Sequence, residues 1–185
     1  IYAAHKDNVA TIPADIRPIV LNNEIKTSNS AELVASYMDT YVKTSLQELK
    51  RELAAAVANV RDEAAIKGLL EDFKNADIVK PQDIAFSWFY LLAKDFAQDA
   101  AWTWEQENWD WIAEKLGGDM SYDKFVIYPG NVFKTAEKFE EYKNNDIKKI
   151  MATYDYKSTH VDGVGTGTDG TTSDKDDNKD NDGII

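Results

Sequence analysis

AWTWEQENWDWIAEKLGGDMSYDKF, residues 101–125, carries Trp102, Trp104, Trp109 and Trp111, four of the chain's five tryptophans, interleaved with Glu, Gln, Asn and Asp. Trp102, Trp109, Ile112 and Leu116 recur at the spacing of one helix face. Trp104 and Trp111 share that interval but are displaced by two residues, about 200° around the axis. A surface helix shows one apolar stripe, so a helix with two must be covered on both sides. Each buried indole removes about 150–250 Å² from water, which makes the segment an energetic centre of its surroundings. Helical spacing assigns these four tryptophans, with Trp88, to a structural core between helix layers rather than to an aromatic cage or a carbohydrate platform. One helix is expected from about Gln98 to Leu116, with Glu105, Glu107, Asn108 and Asp110 filling the gaps between stripes. Gly117 and Gly118 are expected to release it into left-handed geometry.

Helix signals continue in both directions. Pro13 or Pro18 starts a segment with Ile16, Ile19 and Val20 on one side. Ser30 caps AELVASYMDTYVKT, and Ser45 with Glu48 reads as a capping box opening an alanine-rich helix. Asp62 caps a helix whose inner face is Ile66, Leu69, Leu70 and Phe73. From Pro81 a further helix carries Ile84, Phe86, Trp88, Phe89, Leu91 and Leu92 around most of its circumference, so it is expected to be deeply buried. Ser121, Lys124 and Phe125 start a short helix that ends at Pro129 and Gly130, and Thr135 caps a polar outer one. No period-two stretch bounded by hairpin turns competes. The expectation is an all-α chain: antiparallel helix pairs stacked as an irregular, HEAT-like α-solenoid over residues 1–157. Residues 158–185, rich in Gly, Thr and Asp, have no apolar periodicity and read as a disordered acidic tail.

A chain of 185 residues can bury roughly 70% of its unfolded surface without staples. Having no cysteine, it offers neither disulfide nor thiolate, which fits a reducing, cytoplasmic compartment. A net charge of -12 argues against a nucleic-acid partner. The longest apolar run, Ile84 to Ala93, is interrupted by Ser87 and falls far short of the roughly 20 residues that cross a bilayer, so no membrane partner is expected. Beginning at Ile1 with no signal-like start, the chain reads as a piece of something longer.

Chemistry is sparse. His5 and His160 lie at opposite ends, and no metallopeptidase, serine-hydrolase or P-loop motif is present. No catalytic, cofactor-binding or zinc-ligating residue is therefore proposed on this chain. One ligand-spaced motif occurs in the tail: Asn178, Asp180, Asp182 and Gly183, with Asp176 before them, match the opening of a calcium loop. The chain ends before such a loop's bidentate glutamate, and a solvated acidic linker is the favoured reading.

Five stretches in order carry a resemblance: TIPADIRPIVLNNEI, the D-T-Y helix, NADIVKPQDI, AWTWEQENWDWIAEKLGG and FKTAEKFEEY. Together, over about Ile12 to Tyr142, this order resembles the C-terminal helical domain of aminopeptidase-N-like zinc metallopeptidases. Trp102, Trp104, Asn108, Trp109 and Ile112 match that family's tryptophan helix, and Lys80, Gln82 and Asp83 match a helix start. The resemblance implies a curved stack of HEAT-like helix pairs that closes over a catalytic domain of the same polypeptide. It also implies a zinc site with its H-E-x-x-H upstream, outside this chain, and peptide substrates trimmed from their N-termini. On this reading the chain is a non-catalytic lid and chamber wall; a free-standing α-solenoid that binds a protein partner is the alternative. After Tyr142 the sequence is expected to depart from the family pattern.

Overall fold

Side-chain caps at Ser30, Asp62 and Thr135 set three of the helix starts. The structure, a computed structural model, describes residues 1–119 and 121–145. The expected tail, His160 and the calcium candidates Asp176, Asn178, Asp180 and Asp182 lie outside the described residues. A short helix α1 (Tyr2–His5) and a 3-10 turn at Val9–Thr11 lead into α2 (Arg17–Ser28), with Pro18 in its first turn. There a missing N–H removes no helical hydrogen bond. Ser30 Oγ accepts from the Leu33 amide at 3.2 Å to open α3 (Ala31–Lys43). Asp62 Oδ1 accepts from the Ala65 amide at 2.8 Å to open α5 (Glu63–Asp72). Each such cap satisfies an amide that the helix leaves unpaired.

Between them α4 (Gln47–Val57) starts differently from the expected Ser45–Glu48 box. Thr44 Oγ1 accepts from the Leu46 amide at 3.2 Å, and the helix begins after Leu46, one residue later than a Ser45 cap would start it. Then come α6 (Pro81–Leu92), α7 (Gln98–Glu107), α8 (Trp109–Leu116) and α9 (Lys124–Val132), followed by a helical run at 136–145, α10. Among the described residues every regular element is helical, which makes this an all-α domain.

Three expectations fail here. The tryptophan segment is two helices: Asn108, at φ -113° and ψ 15°, breaks it, and its Nδ2 donates to the Trp104 carbonyl at 2.7 Å. Neither Gly117 nor Gly118 is left-handed; Gly117 stays at φ -58°, and the Asp119 amide closes on the Leu116 carbonyl at 2.8 Å. Pro129 sits inside α9 instead of ending it. Its neighbour Gly130 leaves room for the Tyr142 ring of α10, whose hydroxyl oxygen would lie 3.1 Å from an added Cβ.

The left-handed cap occurs elsewhere, at Asn29, with φ 46° and ψ 38° after α2. Its amide donates to the Ile25 carbonyl at 2.9 Å, and its Oδ1 accepts from the Arg61 amide at 2.7 Å. Asn29→Ala loses the hydrogen bond and meets Cβ strain, for an expected cost of about 1–2 kcal/mol. Asn29→Gly relieves the strain alone and is expected to cost about half as much. Urea midpoints of the two variants check the order; an alanine variant as stable as the glycine one sinks the strain argument.

In the packing, α2 lies against α4, α4 against α6, and α6 against α9; α3 covers α2 and α4, while α7 lies against both α6 and α5. The core runs along this row through Leu21, Ile25, Leu49, Leu53, Trp88 and Leu92, all buried. Ile66, Leu69, Leu70 and Phe73 of α5 are buried too. Arg17 crosses from α2 to α4, giving its Nη1 to Glu52 Oε2 at 3.1 Å and its Nε to the Ile12 carbonyl at 3.1 Å.

Candidate functional site

The five tryptophans tie different elements together. Trp88, fully buried in α6, donates Nε1 to the Ala101 carbonyl of α7 at 2.9 Å and stacks obliquely on Phe125 of α9 at 4.9 Å. Trp102, also buried, meets the Phe133 ring edge-on at 5.0 Å and donates Nε1 to Glu141 Oε1 of α10 at 2.8 Å. Trp104 is buried against Phe73 and Trp111, and its indole N–H has no hydrogen-bond acceptor among the described residues. Trp109 and Trp111 are half-buried, Trp109 lying against Tyr122 at 5.6 Å. No pair of these rings faces another across an open slot, so their arrangement binds helix to helix. Glu105, placed by its spacing between the stripes, is instead completely buried, with Gln106 Nε2 donating to its carboxylate at 2.6 Å. It shares a face with Ala101 and Ile112, the i−4 and i+7 signal that its charge obscured in the sequence.

A surface cavity of about 290 Å³ opens between α4 and α6, closed at one end by Tyr41 of α3. Helical spacing builds it: Gln47, Lys50, Arg51 and Ala54 lie on one side of α4, while Gln82, Asp83, Phe86 and Tyr90 form the facing stripe of α6. Phe86, read as buried, is 44% exposed and forms part of this wall. Lys50 Nζ lies 4.7 Å from the Tyr41 ring centroid, and Lys124 Nζ of α9 lies 5.8 Å from that of Phe86. The Tyr41 hydroxyl donates to Asp83 Oδ2 at 3.3 Å. Burial, with Asp83 beside it, pushes that phenol well above its ordinary value, so the hydroxyl stays protonated and remains a donor. None of Lys50, Arg51 and Lys124 forms an ion pair with a carboxylate of the described residues.

A second groove, of about 530 Å³, lies between α5 and α7. Two of its four carboxylates are paired, Lys74 standing 4.0 Å from Glu71 and Lys138 2.8 Å from Asp99, and Lys67 adds a cation to the lining beside Glu63 and Glu107. His5 Nδ1 is hydrogen-bonded to Thr11 Oγ1 at 2.8 Å, a local contact near the chain start. Among the described residues no three His, Cys, Asp or Glu side chains come together as a metal site requires, and these residues do not fit zinc. No helix of the described residues is long and apolar enough to cross a membrane.

Comparison with known proteins gives this helical body its context. A family model described as the ERAP1-like C-terminal domain matches residues 1–153, and so continues past Tyr142, where the sequence reading placed a departure. Aminopeptidase N of Lactococcus lactis subsp. cremoris (strain MG1363) is 76% identical over 143 residues, which cover 77% of this chain and 17% of that protein. Aminopeptidase N of Lactobacillus helveticus is 43% identical over 150 residues, covering 81% and 18%. Glutamyl aminopeptidase of Mus musculus is 29% identical over 130 residues, covering 70% and 13%. The chain thus spans less than a fifth of the length of these curated relatives. With its helices, its tryptophan segment and all its described residues inside the matched span, the chain belongs to the ERAP1-like C-terminal domain family, the C-terminal domain of aminopeptidase N-like enzymes.

Proposed function

We propose that this chain is the non-catalytic lid and substrate-chamber wall of a zinc-dependent aminopeptidase that removes N-terminal residues from peptides. The observation that carries the reading is the 76% identity to Aminopeptidase N over a segment that makes up only 17% of that protein. At such identity the packing of α2, α4, α6 and α9 is shared, and the chain inherits the role that this segment has in its relative. Zinc and the catalytic groups belong to the remainder of the parent polypeptide, which is the proposed partner. The described residues offer zinc no ligand set.

The helix pairs are proposed to stack as HEAT-like repeats, a reading supported by the row of α2, α4 and α6 with α3 and α7 laid across it. A cytoplasmic location goes with the absence of cysteine. A lid of this kind acts by position: it excludes bulk water, orients the peptide and gates product release, so its loss lowers kcat and alters KM together.

The test replaces the corresponding segment of the Lactococcus enzyme with residues 1–145 of this chain and, in parallel, deletes it. Hydrolysis of aminoacyl-arylamides and of short peptides is then measured. The replacement is expected to keep activity and the deletion to lower kcat/KM by about tenfold or more. This chain alone, with zinc added, is expected to hydrolyse nothing. Hydrolysis by the isolated chain overturns the proposal, and a deletion that keeps full activity leaves the free-standing solenoid adaptor ahead.

A further inference from the structure

We propose that the groove between α4 and α6 binds the acidic side chains of an extended peptide. The identification of that peptide as an aminopeptidase substrate rests on the lid reading; the binding itself does not. Charge is the first argument. Lys50 and Arg51 line one cavity of about 290 Å³ and form no ion pair with a carboxylate of the described residues, and Lys124, whose charge also acts on Asp119, reaches the Phe86 ring of its wall, in a chain with 33 Asp and Glu against 21 Lys and Arg. The one carboxylate in the lining, Asp83, already accepts the Tyr41 hydroxyl. Complementarity therefore selects an anionic occupant.

Preorganisation is the second argument. Lys50 rests on the Tyr41 ring and Lys124 on the Phe86 ring. Such contacts hold long side chains in place, so less conformational entropy is lost when a ligand arrives. Distribution is the third. These two cations sit on different rings and on different helices, whereas a single terminal carboxylate would call for convergent donors. Charges repeated along a chain suit separated cations, and the amides of Gln47 and Gln82 with the exposed Phe86 edge offer contacts to the backbone between them. The groove between α5 and α7 lacks this property because four carboxylates, Glu63, Glu71, Asp99 and Glu107, line it against the single cation Lys67.

The experiment is calorimetric titration of the 185-residue chain with an acetylated, amidated hexaglutamate peptide, against the hexaglutamine peptide of the same length, in low and high salt. Binding of the glutamate peptide alone, weakened by salt, is expected. Lys50→Glu with Arg51→Glu is expected to weaken it about tenfold or more, summing exposed ion pairs and the repulsion that replaces them. Lys115→Glu, remote from this cavity, is the control and is expected to leave affinity unchanged. Lys50→Gln with Arg51→Gln repeats the loss without adding negative charge, and a thermal melt of each variant confirms folding. Equal binding of both peptides, or an unaffected Lys50/Arg51 variant, overturns the proposal. Binding seen only with a free peptide C-terminus overturns it too. Because no hydrolysis is measured, failure here leaves the lid reading standing, and failure of the lid reading leaves this binding to be judged by itself.

Discussion

Trp88→Ala is expected to destabilise the folded body by about 3–5 kcal/mol, the range for deleting a large buried aromatic. Trp88 is among the largest fully buried side chains and stands where α6, α7 and α9 meet. Its removal costs three things at once: the transfer of an indole from water, the cavity left between Phe125 and α7, and the hydrogen bond from the indole N–H to the Ala101 carbonyl. Trp88→Phe separates them. It keeps most of the apolar volume and forfeits the hydrogen bond, so about 1–2 kcal/mol is expected. Urea unfolding followed by circular dichroism measures both. Amide exchange adds a local readout, because α9 lies on α6 and its amides should open first in the alanine variant. A loss under about 1.5 kcal/mol for Trp88→Ala would mean that the helices close over the gap, against the rigid packing argued here.

What the sequence disclosed was the chemistry that acts over three or four residues. Ser30, Asp62 and Thr135 cap their helices because the hydroxyl or carboxylate and the amide it meets are fixed by local geometry. Burial of α5 was legible because Ile66, Leu69, Leu70 and Phe73 fall on one face. The break at Asn108 was not, because an unbroken helix satisfies the same spacing; the difference lies in Trp109 reaching Tyr122 and Trp111 reaching Trp104. The Ser45 box failed against a rival two residues long, Thr44 with the Leu46 amide, and nothing in the pattern ranks one above the other. Glycine composition suggested left-handed caps at Gly117 and Gly118, while the position that needs one carries Asn29.

The groove was invisible for a further reason. Tyr41, Lys50, Arg51, Asp83 and Phe86 come from three helices, and only the packing of α3 and α6 on α4 brings them together. Each one alone reads as ordinary: a core tyrosine, two solvated cations, a first-turn aspartate and a buried phenylalanine. The one available signal was Phe86, since a helix apolar around most of its circumference has more greasy positions than neighbours to cover them. The tryptophans are rare, yet their contacts are internal: Trp88 ties α6 to α7 and α9, and Trp102 ties α7 to α10.

Removal of Arg17 is the second large effect, and its size depends on pH in a direction the structure fixes. The Arg17 and Glu52 side chains are each 9% exposed and 3.1 Å apart, and Arg17 also holds the Ile12 carbonyl. Arg17→Met keeps the volume but strands a carboxylate and a carbonyl in the interior, for an expected loss of about 3–5 kcal/mol at neutral pH. Burial already raises the Glu52 carboxyl above its ordinary value; Arg17 opposes that rise and nearby Glu48 adds to it. A folded value above the unfolded one means that the native state binds the proton more tightly. Its stabilising contribution is therefore complete below the unfolded value and is lost as pH rises through the folded one. Without Arg17 the carboxyl rises further, so the Arg17→Met deficit should be smallest at the acid end of the range, where protonation removes the stranded charge, and grow toward pH 7. Adding Glu52→Leu should return most of the stability and flatten the profile, since a buried pair replaced by apolar groups is often neutral. Denaturant midpoints between pH 4 and 8 decide it. A deficit that is the same across that range would show that Arg17 acts through the Ile12 carbonyl and packing alone, with Glu52 reaching water once its partner is gone.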